Sequence, residues 1–121
     1  MTTEPLAEAY RGLIGDIRVV PVYLARERWG AVTAVRSAGP RPRVGWAGGQ
    51  QHQGDLEILL PVVEATAREV DWVFFGMCPD ALRPYVREVH DMVSFAEYPA
   101  RLASLALDLA VAPLEEHPFN V

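Results

Sequence analysis

The stretch Trp72-Val73-Phe74-Phe75 constrains the fold more than any other part of this chain. Four aromatic or branched residues in a row, stopped by Gly76, predict a strand buried on both faces. Such a strand needs one packed layer above it and another below. Val44 to Ala47 is a shorter apolar run ending in Gly48-Gly49, and Met92 to Phe95 and Asp108 to Ala112 read as two further strands. Between the first two, Asp55 to Val70 carries Leu56, Leu59, Leu60, Val63, Ala67 and Val70 at helical spacing. Pro61 is expected to kink or delay that helix. Pro79 to Val86 reads as a short helix, and Pro99 to Leu107 as a third. The order β-α-β-α-β-α-β with short connections predicts an α/β, Rossmann-like three-layer α/β/α fold on a parallel sheet. With strand order 3-2-1-4, the first and fourth strands are neighbours, and ligands bind beyond their carboxyl ends. Those ends are the loops Gly48 to Gly54 and Pro113 to Phe119.

The segment Ser37 to Arg43 (SAGPRPR) reads as a linker between residues 1–43 and residues 44–121. The first part holds a helix over Pro5 to Ile14, a stop at Gly15 and an apolar run from Ile17 to Leu24. Pro21 demotes that run to an edge or broken strand, and Ala25 to Ser37 reads as loop or short helix. Charge follows the same division. Residues 1–43 hold seven arginines against four acids, and residues 44–121 hold four against twelve. A body with that acid surplus is a poor nucleic-acid binder, because phosphate affinity comes from clustered cations. Every cation is arginine, which with the alanine content points to a GC-rich genome rather than to a function. The single cysteine, Cys78, excludes an internal disulfide and a cysteine metal cluster, and suits a reducing, cytoplasmic compartment. No uncharged apolar run approaches the roughly 18 to 20 residues that span a bilayer. The start MTTEPLAEAYRGL lacks the basic and apolar regions of a signal peptide.

The loop Trp46-Ala47-Gly48-Gly49-Gln50-Gln51-His52-Gln53-Gly54-Asp55 follows a strand and opens a helix. Its glycines either let a phosphate approach the backbone or simply make a tight turn. His52 is either a donor to a phosphate or sugar hydroxyl or a surface and capping residue. In Ala112 to Asn120, Glu115, Glu116 and His117 are candidates for binding hydroxyls or for acid–base work. Adjacent residues diverge, so at most one of Glu115 and Glu116 faces a site. Tyr98, before Pro99, stacks on a base or packs on the sheet. His90 reads as a solvated residue of a polar turn, and Cys78 as a partly buried thiol rather than a nucleophile. The three histidines have no ligand spacing, so no metal is expected.

Taken in order, VGWAGG…H…GDL, DWVFFGMCP and EYPARLASLALDLAVAPLEEHPFN resemble the C-terminal, donor-binding half of GT-B glycosyltransferases. The group-1, family-4-like bacterial enzymes are the nearest in pattern. The resemblance covers about residues 44–121, and DIRVVPVYL…RW is similar to the end of the N-terminal domain and the linker after it. It implies transfer of a sugar from a nucleotide-sugar donor to an acceptor, without a cofactor or metal. It implies that Gly48, Gly49 and His52 line the sugar and diphosphate and that Gly76 faces the nucleotide. Tyr98 would lie near the base, with Glu115, Glu116 or His117 against the donor sugar. His52 and Glu115 are then the candidates for a catalytic role. The chain departs from the pattern where relatives carry an acid four positions after the loop proline, since His117 stands there. It also stops before the Lys-Ser pair and the ribose-gripping Glu, so a fragment of a longer enzyme, inactive alone, is the expectation. The alternatives are a non-catalytic Rossmann-like binding or regulatory domain and a GT-B-shaped nucleotide-sugar epimerase. A half-sheet of this kind leaves its fourth strand as an exposed edge, for which a homodimer is expected.

Overall fold

The computed structural model describes residues 2–33, 35–36 and 38–116. They form two compact units, Met1–Ala31 and Val32–Val121. In the first, Thr3 caps helix α1 (Glu4–Tyr10) by accepting the Leu6 N–H at 3.3 Å. Pro5 sits in the first turn, where its missing N–H leaves no bond unmade. The helix stops at Tyr10 rather than Ile14. No strand forms over residues 17–24, where Val20, Val22, Tyr23 and Leu24 are exposed and Pro21 has no N–H for a ladder. Helix α2 is a single turn, Arg26–Trp29.

The second unit is an α/β, Rossmann-like domain on a four-stranded, all-parallel sheet. Its strands are β1 (Arg43–Ala47), β2 (Asp71–Gly76), β3 (Glu88–Asp91) and β4 (Leu109–Ala110), in the spatial order β3-β2-β1-β4. β1 and β4 are therefore neighbours, with Val44 opposite Leu109. Side chains alternate across β1 and β2 to make two cores. On one face Val44, Trp46, Trp72 and Phe74 pack with Leu56, Val63 and Leu82. On the other, Val73 and Phe75 pack with Leu105, Tyr98 and Leu102. Helices α3 (Gln53–Glu57) and α4 (Leu60–Thr66) carry the first layer, and α5 (Tyr98–Ser104) the second. The strand Trp72 to Phe75 is buried along its whole length, as its composition requires. Among the described residues, no helix is long and apolar enough to cross a membrane.

The second unit also differs from the sequence reading, beginning with a fourth strand that covers only Leu109–Ala110 of the expected Asp108 to Ala112. The helix over Asp55 to Val70 is broken into α3 and α4, because Pro61 has no N–H to offer the carbonyl four residues earlier. Pro79 to Val86 is not an α-helix but a turn that ends in a 3-10 helix over Arg83–Tyr85. Its i to i−3 bonds run from Leu82 to Pro79 and from Tyr85 to Leu82 at 3.0 Å, one i to i−4 bond runs from Arg83 to Pro79 at 3.3 Å, and Pro84 has no N–H to carry an α-helix further. The third strand is Glu88–Asp91, not Met92 to Phe95. Apolar content pointed to the wrong stretch, because Glu88 and His90 line the α5 side of β3 as charged and polar groups that find partners there. His90 is thus a strand residue, 22% exposed in its side chain, and not a solvated turn.

Candidate site at the carboxyl end of the sheet

The chain leaves β1 through Gly48, whose N–H donates to Phe75 O at 3.0 Å, and Gly49, which opens a 3-10 turn over Gln50–His52. Gly76 closes β2 with φ of +106°, a conformation that favours glycine. A Cβ there would also run into the Gly48 carbonyl oxygen, so the two loops leave the sheet in backbone contact. The 3-10 turn brings His52 above β1. Its ring meets Trp46 edge-on, with centroids 6.2 Å apart. His52 Nδ1 lies 2.7 Å from Asp55 Oδ2, and Asp55 Oδ1 accepts the Glu115 N–H at 2.8 Å. Asp55 is buried, its side chain 8% exposed, whereas the His52 side chain is 40% exposed. A Cβ on Gly54 would come within 2.7 Å of Glu115 Oε2, so the Glu115 carboxylate lies directly over that glycine. The loops after β1 and β4 thus meet on one buried carboxylate.

Beside them an open cavity of about 870 Å³ runs between α3 and the loop after β2. Gln50, Gln53 and Glu57 form one wall, and Gly76, Cys78 and Arg83 belong to the other. Arg83 Nε stands 3.3 Å from Asp80. The Cys78 thiol is 8% exposed, and burial pushes its pKa up, which keeps it protonated and unreactive at neutral pH.

The structure therefore gathers His52 and Glu115 around Asp55, with Gly54 under Glu115 and Gly48 and Gly49 in the turn that leads to His52, and sets Gly76 on the neighbouring cavity. Glu116 is exposed next to Glu115. Tyr98 stands apart from this group. It lies under the opposite face of the sheet, stacked on Phe75 at 5.1 Å, and burial raises its hydroxyl pKa. His117 lies outside the described residues. Asp55 is the member of this group that the sequence reading did not single out, since it only marks the start of the expected helix Asp55 to Val70. The spacing His52-x-x-Asp55 across a strand-to-helix loop was the available signal. Among the described residues, no three His, Cys, Asp or Glu side chains gather as a metal would need. A second polar network lies on the α5 face. Arg43 donates to both oxygens of Glu88 at 2.7 and 3.0 Å and to Leu105 O at 3.0 Å. His90 Nε2 lies 2.9 Å from Glu88, and Arg101 Nη2 lies 2.8 Å from His90 Nδ1. No protein-family model, curated protein or solved structure matches this chain.

Proposed function

We propose that the second unit binds the donor of a glycosyltransferase, a nucleotide-sugar, and belongs to an enzyme that passes the sugar to an acceptor. The observation that carries this reading is the meeting of His52, Asp55 and Glu115 where β1 and β4 lie side by side. In an open parallel sheet of order 3-2-1-4, that crevice is where ligands are held. His52 and the Glu115 carboxylate suit sugar hydroxyls, which both donate and accept hydrogen bonds. The cavity by Gly76 is of a size that takes a nucleoside, within the roughly 300 to 1,000 Å³ common for ligand pockets. The free Cys78 thiol suits the reducing cytoplasm where nucleotide-sugars are used. Titration with UDP, GDP, UDP-glucose and GDP-mannose, followed by amide NMR, is the test. Shifts centred on Gly48 to Gly54 and Pro113 to Glu116 are expected. Shifts confined to other regions, or none, overturn the reading.

A non-catalytic binding module is the second reading, and charge favours it. Glu57 and Asp80 line the cavity against a single arginine, Arg83, and Glu115 and Glu116 add two more acids in the loop after β4. That balance suits an uncharged polyol better than a diphosphate. Binding of a free sugar without any response to UDP or GDP would select this reading.

The outer edge of β4 also supports a homodimer. Leu109 is exposed there, no strand among the described residues pairs with that edge, and an unpaired edge is a template for pairing with a second copy. Sedimentation at micromolar concentration should show a dimer, and a clean monomer refutes it.

A further inference from the structure

Asp55 has a place in the fold that a helix acid does not need. Its side chain is nearly enclosed, yet both oxygens are engaged by groups from different segments. Oδ2 meets His52 Nδ1 at 2.7 Å, and Oδ1 accepts the N–H of Glu115, 60 positions along the chain, at 2.8 Å. An ionised carboxylate only accepts. With Asp55 ionised, the hydrogen in the contact with His52 belongs to the ring, on Nδ1. In the neutral ring this leaves Nε2 as the acceptor nitrogen. The edge contact with Trp46 restrains the same ring from the side of β1.

We propose that Asp55 is the positioning residue of this site: it fixes His52 in the Nδ1–H tautomer, so that Nε2 accepts from a ligand hydroxyl, and it docks the loop after β4 over the loop after β1. The ligand part of this inference rests on the donor-binding reading; the tautomer and the docked loop do not. Asp55 acts through His52 and Glu115 and touches no ligand itself. A carboxylate behind a histidine sets which ring nitrogen is presented, as it does wherever histidine must accept at one defined atom. One buried carboxylate also makes the two loops a single unit, since losing either donor leaves part of its acceptor capacity unmet in a dry place.

The test is nitrogen-detected NMR of the histidine rings together with the Glu115 amide, on the whole chain. Once the ring is neutral, which the same spectra report, His52 should show a protonated Nδ1 and a bare Nε2. The Glu115 amide should be shifted downfield by its charged acceptor. Asp55→Asn offers one acceptor oxygen for two donors. It should move His52 toward the Nε2–H tautomer or release the Glu115 amide, and weaken UDP-glucose binding about tenfold. An Nε2–H tautomer in the unaltered chain overturns the proposal without any variant. So does a folded Asp55→Asn chain that keeps both the tautomer and the amide shift. If the unaltered chain shows the expected ring and amide signals but ignores UDP-glucose, the positioning stands and the donor reading falls.

Discussion

His52 and His90 each stand against a carboxylate, His52 on Asp55 at 2.7 Å and His90 on Glu88 at 2.9 Å, and the two pairs are built differently. At His90 both ring nitrogens are taken. Arg101 can only donate, so Nδ1 accepts from it and Nε2–H donates to Glu88. Glu88 is held in turn by the two-pronged Arg43, whose backbone N–H donates to Asp108 at 2.9 Å. The network ties β1, β3, α5 and the start of β4 together. At His52 only Nδ1 is engaged by the described residues, and the ring is about twice as exposed, 40% against 22%. Its carboxylate is the buried partner, whereas Glu88 is itself a third exposed. A histidine whose whole hydrogen-bonding capacity is used up is a brace. One that a buried acid anchors at one nitrogen, and that no described residue engages at the other, is the arrangement on which the proposed ligand contact rests.

The sharpest break in this comparison is expected from Arg43→Ala. The side chain is 15% exposed and holds Glu88 at two points and Leu105 O at a third. Its loss leaves Glu88 beside the sheet with His90 as its remaining partner, at a cost of about 2 kcal/mol, below the range for fully buried pairs because Glu88 is partly solvated. Denaturant unfolding measures it. A loss under about 0.5 kcal/mol would place the network among ordinary surface ion pairs. The response of the carboxyl-end loops to UDP-glucose should not change.

A smaller effect is expected in acid. The Arg43 hydrogen bonds, with help from His90 and against partial burial, hold the Glu88 carboxyl down from 4.5 to about 2. A carboxyl depressed in the folded state adds stability above its unfolded pKa, and that contribution fades as the pH falls toward the folded value. The window therefore runs from 4.5 down to about 2. Melting temperature against pH should fall more steeply there for the unaltered chain than for Glu88→Gln, and the two curves should converge. Parallel curves would mean that Glu88 titrates as a free carboxyl.

The difference between the two pairs also marks where the sequence could be read. The alternation of apolar runs and helical spacing was enough for the parallel sheet; the order 3-2-1-4, which sets the two loops beside each other, was a condition of the reading that the sheet meets. Trp72 to Phe75 needed no tertiary information, because a run without polar residues has one stable place, the middle of a sheet. Glu88–Asp91 was hidden for the opposite reason. Its inward side chains are polar, and only the contacts with Arg43 and Arg101, far away in the chain, make that burial tolerable. Periodicity rewards apolar residues, so it slid the strand to Met92 to Phe95, where Phe95 turns out to be exposed. His52 was legible because it sits in a glycine-rich loop after a strand. Asp55 was not, since its role depends on Glu115, which only the neighbouring of β1 and β4 brings near.

The smallest effect on stability, and the one that separates the two histidines most cleanly, is expected from matched asparagine substitutions. The carboxamide nitrogen of asparagine reaches about where Nδ1 stands in histidine, and nothing in it replaces Nε2. His90→Asn therefore loses the donor to Glu88 and should cost about 1 kcal/mol, the ordinary net value of a hydrogen bond, with ligand response intact. His52→Asn keeps a donor in front of Asp55, so the buried carboxylate stays satisfied and stability should change by less than about 0.5 kcal/mol. The shifts of Gly48 to Gly54 and Pro113 to Glu116 with UDP-glucose should nonetheless disappear, because the proposed acceptor nitrogen is gone. Unfolding curves and amide titrations on the two variants read both quantities at once. If His52→Asn proves the more destabilising of the two and still responds to UDP-glucose, the assignments are reversed: His52 is the brace, and the open crevice above β1 and β4 takes its ligand without it.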